Sequence, residues 1–185
     1  MLLEGKKIGF ALTGSFCTLE LIMPEIEKLI NEGAEVYPIV SYSVDQFDTR
    51  FGTADYFKDK LKQITKKEII STVAQAEPIG PKSYLDVLVV APCTGNTLSK
   101  IANAITDTPV TMAVKAQLRN NKPVVIAIST NDGLGLNAKN LGELLSVKNI
   151  YFVPFGQDDP IKKSNSLVAK YDMIIPTIME ALNGK

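Results

Sequence analysis

The residues best suited to chemistry in this chain are hydroxyls, amides and glycines placed where apolar runs end. Thr13-Gly14-Ser15 closes the run Ile8 to Leu12, and Ser41-Tyr42-Ser43 follows Glu35 to Val40. Pro92-Cys93-Thr94-Gly95-Asn96-Thr97 follows "LDVLVVAP", and Ser129-Thr130-Asn131-Asp132-Gly133 ends "KPVVIAIST". Where a helix begins, its first backbone N–H groups lack an intrahelical acceptor and carry partial positive charge, so such a loop can hold an anion without a lysine. Each hydroxyl adds a neutral hydrogen bond of about 1 kcal/mol. The pattern suits an anion with polar appendages. Ser, Thr, Asn and Gly are also ordinary cap and turn residues, so one such loop alone carries little weight. Four at one edge of one sheet carry more.

The absences narrow the chemistry further. The chain has no histidine, which removes an imidazole base, a Ser-His or Cys-His pair and a His-bound zinc from within it. Cys17 and Cys93 are too few for a disulfide framework and have no metal-ligand spacing, so no metal site is expected. Cys17 reads as a packing residue. Cys93, at a helix start, reads as a nucleophile or as a small residue lining the anion loop. Twenty basic and twenty acidic side chains cancel, which argues against nucleic acid or a membrane surface as partner. No leader pattern and no apolar run of about 18 residues is present, so the expected location is cytoplasmic. Neither G-x-G-x-x-G nor G-x-x-x-x-G-K-[ST] follows the first strand, so a mononucleotide fits better than a dinucleotide or a P-loop ligand.

The elements that must position these loops alternate. Leu19, Ile22, Met23, Ile26, Leu29 and Ile30 have helical spacing, with Gly33 at the C-terminal cap and Pro24 inside. Strand, helix and strand together span about 35 residues, a βαβ unit. Val44 to Ala76 reads as helical, and "LDVLVVAP" as a central parallel strand covered on both faces. A helix is expected near Asn96 to Ala104, and another at Pro109, capped by Asp107 or Thr108. "KPVVIAIST" is a strand, "AKNLGELLSV" a helix, "IYFVPF" the last strand and "YDMIIPTIMEAL" the closing helix. Gly156 to Lys170 has no evident sheet role. The expectation is one α/β domain over residues 1–185: a Rossmann-like three-layer fold with a mostly parallel sheet and helices on both faces.

These stretches resemble a known family, the flavoproteins of the homo-oligomeric flavin-containing cysteine decarboxylase fold. "IGFALTGSFCTLELIMPEIEKLINEGAEVYPIVS", "SYSVDQF" and "LDVLVVAPCTGNTLSKIANAITDT" carry the likeness, which covers nearly the whole chain. The resemblance implies FMN as cofactor, or a phosphate alone, and a homo-oligomer, often of trimeric units, because the family's flavin sites lie at subunit contacts. By position, Thr13, Gly14, Ser15 and Ser41 would meet the flavin phosphate or ribityl chain, with Phe47 near the ring. Pro92, Cys93, Thr94, Asn96 and Thr97 would form the phosphate loop, and Asn131 keeps one family identity after the fourth strand. Two departures matter: the family's histidine before the third strand is Pro78, and its Pro-x-Met-Asn motif reads Ile128-Ser129-Thr130-Asn131. Decarboxylation of a peptidyl cysteine is therefore not expected.

A narrower likeness, in "TLELIMPEIEKL", the block from "APCTGNTLSKIAN" to "GLNAKNLGELL", and "YFVPFGQDDPIKKSNSLVAKYD", implies membership of an oxidoreductase complex with more than one kind of chain. Its partner would be a dehydrogenase-like chain carrying NAD(P), its substrate a small cyclic dicarboxylate that is aromatised, and its setting the mother cell of a sporulating bacterium. Gln157, Lys162, Lys163, Ser164 and Ser166 are candidates for substrate or partner contact, against a solvated loop. No general base is assigned. The rival readings are a stand-alone FMN-dependent decarboxylase of a small acid and a non-catalytic scaffold with a vestigial flavin site.

Overall fold

The computed structural model describes residues 1–184. In chain order its elements are β1 (Lys7–Leu12), α1 (Leu19–Asn31), β2 (Glu35–Val40), α2 (Tyr42–Gln46), α3 (Ala54–Thr65), α4 (Val73–Ala76), α5 (Ile79–Lys82), β3 (Val87–Cys93), α6 (Gly95–Ala102) and α7 (Pro109–Arg119). They continue through β4 (Val124–Thr130), α8 (Ala138–Leu144), β5 (Ile150–Phe152), β6 (Phe155–Asp159), β7 (Lys163–Ala169) and α9 (Ile174–Leu182).

The layering follows from β3, whose seven residues are all buried. A strand with no polar face has to be covered on both sides. Val87, Val89 and Ala91 pack with Ile22, Ile26, Phe57 and Ile178 of α1, α3 and α9. Leu88 and Val90 pack on the other face with Ile79, Leu98, Val110 and Leu141 of α5 to α8. A register shift between Val90 and Cys93 then turns Cys93 into the second face, where strict alternation would have placed it in the first.

The sheet runs β2-β1-β3-β4-β7-β6, with β5 beside β4. The pairs β1–β2, β1–β3, β3–β4 and β4–β5 are parallel, while β4–β7 and β6–β7 are antiparallel. The mostly parallel, three-layer Rossmann-like architecture is the one expected. Strand order turns between β1 and β3, where a crevice opens at the strands' carboxyl ends.

Two segments differ from expectation. Val44 to Ala76 is broken into α2, α3 and α4. The Ala54 N–H donates to Asp48 Oδ1 at 2.9 Å, and Thr49 and Gly52 bond each other's backbone, so a turn interrupts the periodic run. Lys66 then ends α3 in the left-handed region at φ 55°, and Ile70 pairs with β2, accepting from Val40 N–H at 3.0 Å. Open backbone groups on an edge strand outweighed the helical pattern of Ile69, Ile70 and Val73. The second difference is that "IYFVPF" splits into β5 and the start of β6, and Gly156 to Lys170 has a sheet role after all. It completes the β6–β7 hairpin, whose β7 pairs with Ser129 and Thr130 where β5 has left the edge of β4 free.

Candidate functional site

Thr94 caps α6: its Oγ1 accepts the Thr97 N–H at 3.2 Å and donates to Thr97 Oγ1 at 3.1 Å. Thr13, buried at the end of β1, ties its loop to this one. Its hydroxyl donates to the Pro92 carbonyl at 2.6 Å and accepts the Thr94 N–H at 3.0 Å. Ser41 caps α2 through Val44 N–H and shares a 2.9 Å hydrogen bond with Ser43. These three strand ends meet around a pocket of about 360 Å³ at the β1/β3 turn of the sheet. Thr13 and Gly14, Ser41 to Ser43, Thr94, Asn96, Thr97 and Lys100, and Thr108 from the cap of α7 line it. A Cβ on Gly14 would lie 2.6 Å from Ser43 Oγ, so a side chain there would fill the cradle between the first two loops.

The pocket's hydrogen-bond inventory is lopsided. The N–H groups of Gly95 and Asn96 occupy the first two positions of α6, ahead of its first intrahelical bond. Thr97 Oγ1 accepts from Thr94, which leaves its own proton to give. Asn96 is exposed at the rim, and Lys100 has an ammonium there. Donors dominate, and the group they fit is an anion with several acceptor oxygens, such as a phosphate monoester.

Of the residues proposed from sequence, Thr13, Gly14, Ser41, Thr94, Asn96 and Thr97 come together here, and Pro92 contributes the carbonyl that holds Thr13. The others do not reach the pocket lining. Ser15 pairs with Ser129 at 2.9 Å, Phe47 is 57% exposed beyond α2, and Asn131 is exposed in the β4–α8 loop. Cys93 is fully buried among apolar side chains, and burial pushes its thiol up to about 12. That corrects both expectations for it, since a protonated core thiol neither attacks nor lines the loop. Cys17, expected to pack, is exposed.

The five hairpin candidates lie apart from the pocket. Gln157 Nε2 donates to the Ser164 carbonyl at 2.8 Å, Lys163 pairs with Asp158 at 3.0 Å, and the Lys162 N–H donates to Asp159 Oδ1. Ser166, in β7, is buried.

Sequence reasoning missed two features. Lys100 stands three residues after Thr97 and four after Asn96, so a count along the helix face finds it. Its Nζ donates to both oxygens of Asp107, at 2.7 and 2.8 Å, and this ammonium holds the Asp107 carboxyl below the usual carboxylate range. The second is a network behind Gly95. Asp132 accepts from Thr130 Oγ1 at 2.5 Å and from Asn137 Nδ2 at 2.8 Å, and Asn140 Nδ2 donates to Asn137 Oδ1 at 2.9 Å. Its spacing resembles any polar loop, and no sequence signal separates it from one.

A mostly parallel sheet with helices on both faces and a donor-lined pocket where its strand order turns defines a doubly wound α/β protein with a crevice at its strand ends. The family model described as Flavoprotein matches residues 2–182, and the chain belongs to that family. It is 57% identical over 180 residues to the B subunit of dipicolinate synthase from Bacillus subtilis (strain 168), covering 97% of this chain and 90% of that protein. The crystal structure of the dipicolinate synthase B subunit from Bacillus halodurans C superposes with a TM-score of 0.92 at 52% identity, covering all of this chain and 95% of the other. The FMN-dependent cysteine decarboxylase SpaF, at 17% identity and TM-score 0.70 over 98% of this chain and 99% of its own, shares the fold.

Proposed function

We propose that this chain acts as the flavin-type B subunit of dipicolinate synthase. With the synthase's other component, a dehydrogenase-like A subunit that carries NAD(P), it takes part in oxidising a dihydrodipicolinate precursor to pyridine-2,6-dicarboxylate during sporulation, in the cytoplasm of the mother cell. The observation that carries this reading is 57% identity across 97% of the chain to a protein of that name. The pocket supports the cofactor half of it: the free N–H groups of Gly95 and Asn96, the Thr97 hydroxyl and the Lys100 ammonium fit the phosphate of FMN. Bound there, FMN supplies a two-electron acceptor, which aromatisation requires. Thr13, Ser41 and Thr94 then hold the loops in place, and the chain binds and orients rather than moving protons. Among the described residues there is no helix long and apolar enough to cross a membrane. The functional unit is read as a homo-oligomer.

Titration of the purified chain with FMN, followed by flavin fluorescence, tests the reading. Saturable binding that weakens in Asn96→Ala is expected, together with formation of pyridine-2,6-dicarboxylate only when the dehydrogenase-like partner is added. Absence of binding with and without that partner would sink the flavin assignment. Turnover of a small acid by the chain alone would favour a stand-alone decarboxylase. Full activity of flavin-free protein in the presence of the partner would favour a scaffold.

A further inference from the structure

Lys100 shares a face of α6 with Asn96 and Thr97, because residues three and four apart on a helix are neighbours. Long helical side chains lean back toward the helix N-terminus, which brings this one to the pocket it lines. Among the described residues of that lining, Lys100 alone carries a charge. An ammonium has three protons to donate, and the two bonds to Asp107 leave one. The Lys100 side chain is 22% exposed and the Asp107 side chain 57%, so the carboxylate stands on the solvent side and the ammonium on the inner side of the pair. Asp107 immediately precedes Thr108, which caps α7 and lines the same pocket, so the start of α7 anchors the pair.

We propose that Lys100, positioned by Asp107, is the specificity-determining residue of this pocket: it selects a phosphate monoester over the same molecule without its phosphate. This rests on the reading of the pocket as a flavin phosphate site. The division of labour is physical. Backbone N–H groups and the Thr97 hydroxyl are neutral donors that bond either kind of oxygen and favour the charged one by a part of a hydrogen bond, whereas the ammonium adds a full opposite charge and with it the larger share of the preference. Asp107 fixes the direction of the ammonium and offsets its charge, so the pocket favours phosphate without being a strong sink for any small anion.

FMN and riboflavin differ by that phosphate, so their dissociation constants separate the two contributions. At low ionic strength, Lys100→Met is expected to weaken FMN about tenfold or more while leaving riboflavin unchanged, and Lys100→Arg to keep most of the preference. Asp107→Asn raises the net charge of the pair from zero to plus one. It should tighten FMN several-fold, a gain that disappears by roughly 0.5 M salt. Equal losses for both flavins in Lys100→Met, or no loss for either, overturn the proposal. Should Lys100→Met fail to fold, an Asp107→Asn variant whose FMN and riboflavin affinities change in the same proportion overturns it instead. If the natural chain binds neither flavin, the flavin reading fails on its own and inorganic phosphate becomes the probe. A rise in Tm with phosphate that Lys100→Met abolishes then supports the role of Lys100, and equal or absent shifts overturn it.

Discussion

On the pocket side of Gly95, Asn96 and Thr97 leave donors free; on the other side, Thr130, Asn137 and Asn140 spend side-chain donors within their own cluster, on Asp132 and Asn137. The residue types are nearly the same, and both groups follow a buried parallel strand. What separates them is acceptor supply. Asp132 brings two carboxylate oxygens into the β4–α8 loop and takes the Thr130 hydroxyl and the Asn137 amide, which closes the network. The β3–α6 loop has no carboxylate, so its hydroxyls chain toward a last proton with nowhere to go within the protein. Closed, such a cluster is a brace; open, it is a binding site.

Gly95 is where the two regions touch, and a substitution there has the largest expected effect. A Cβ at this position would lie 2.5 Å from Thr130 Oγ1, 2.6 Å from Asn137 Nδ2 and 2.7 Å from Asp132 Oδ1. None of these atoms is the free end of a flexible chain, since all three are locked in the network. Gly95→Val is expected to lower stability by about 2–3 kcal/mol, as overpacking does, and to weaken FMN binding by tilting the start of α6. A urea midpoint unchanged from the natural chain would mean that brace and pocket are not in contact.

Asp132→Ala aims at the brace alone. It leaves the Thr130 hydroxyl and Asn137 amide without their acceptor, at an expected cost of about 1–2 kcal/mol in a partly buried setting. The FMN dissociation constant should stay within about twofold, because the donors of the α6 first turn are untouched. A larger loss of affinity than of stability would erase the distinction between the regions.

The same contrast explains what can be read from the sequence. β3 and β4 are plain because buried runs of seven and six residues have few alternatives in an α/β pattern, and α7 is plain because Thr108 and Pro109 are a cap and a first helical position. The pocket residues at the ends of β1, β2 and β3 are legible because strand ends in a parallel sheet share one edge. The β6–β7 hairpin is not, since its pairing answers a need of β4 that lies far away in sequence. Cys93 is misleading for a similar reason: a register shift within β3, which periodicity does not contain, turns it into the core. Asn131 and Asp132 stand side by side in one polar loop. Only the fold shows that the second makes the brace while the first is exposed to solvent.

Thr97→Val is the smallest change and the sharpest reciprocal of Asp132→Ala. Valine keeps the shape of threonine and the N–H that Thr94 caps, and removes only the hydroxyl. Thr94 Oγ1 loses an acceptor but faces the pocket, where water can replace it, so the stability change should stay below about 1 kcal/mol. The hydroxyl removed is the free O–H donor of the α6 first turn, and its loss should weaken FMN about fivefold to tenfold, as read by flavin fluorescence. Paired with Asp132→Ala, this gives stability lost without affinity at one site and affinity lost without stability at the other. If Thr97→Val instead lowers stability as much as Asp132→Ala and leaves FMN binding intact, the open cluster is a second brace, and the anion donors of α6 reduce to its backbone, Asn96 and Lys100.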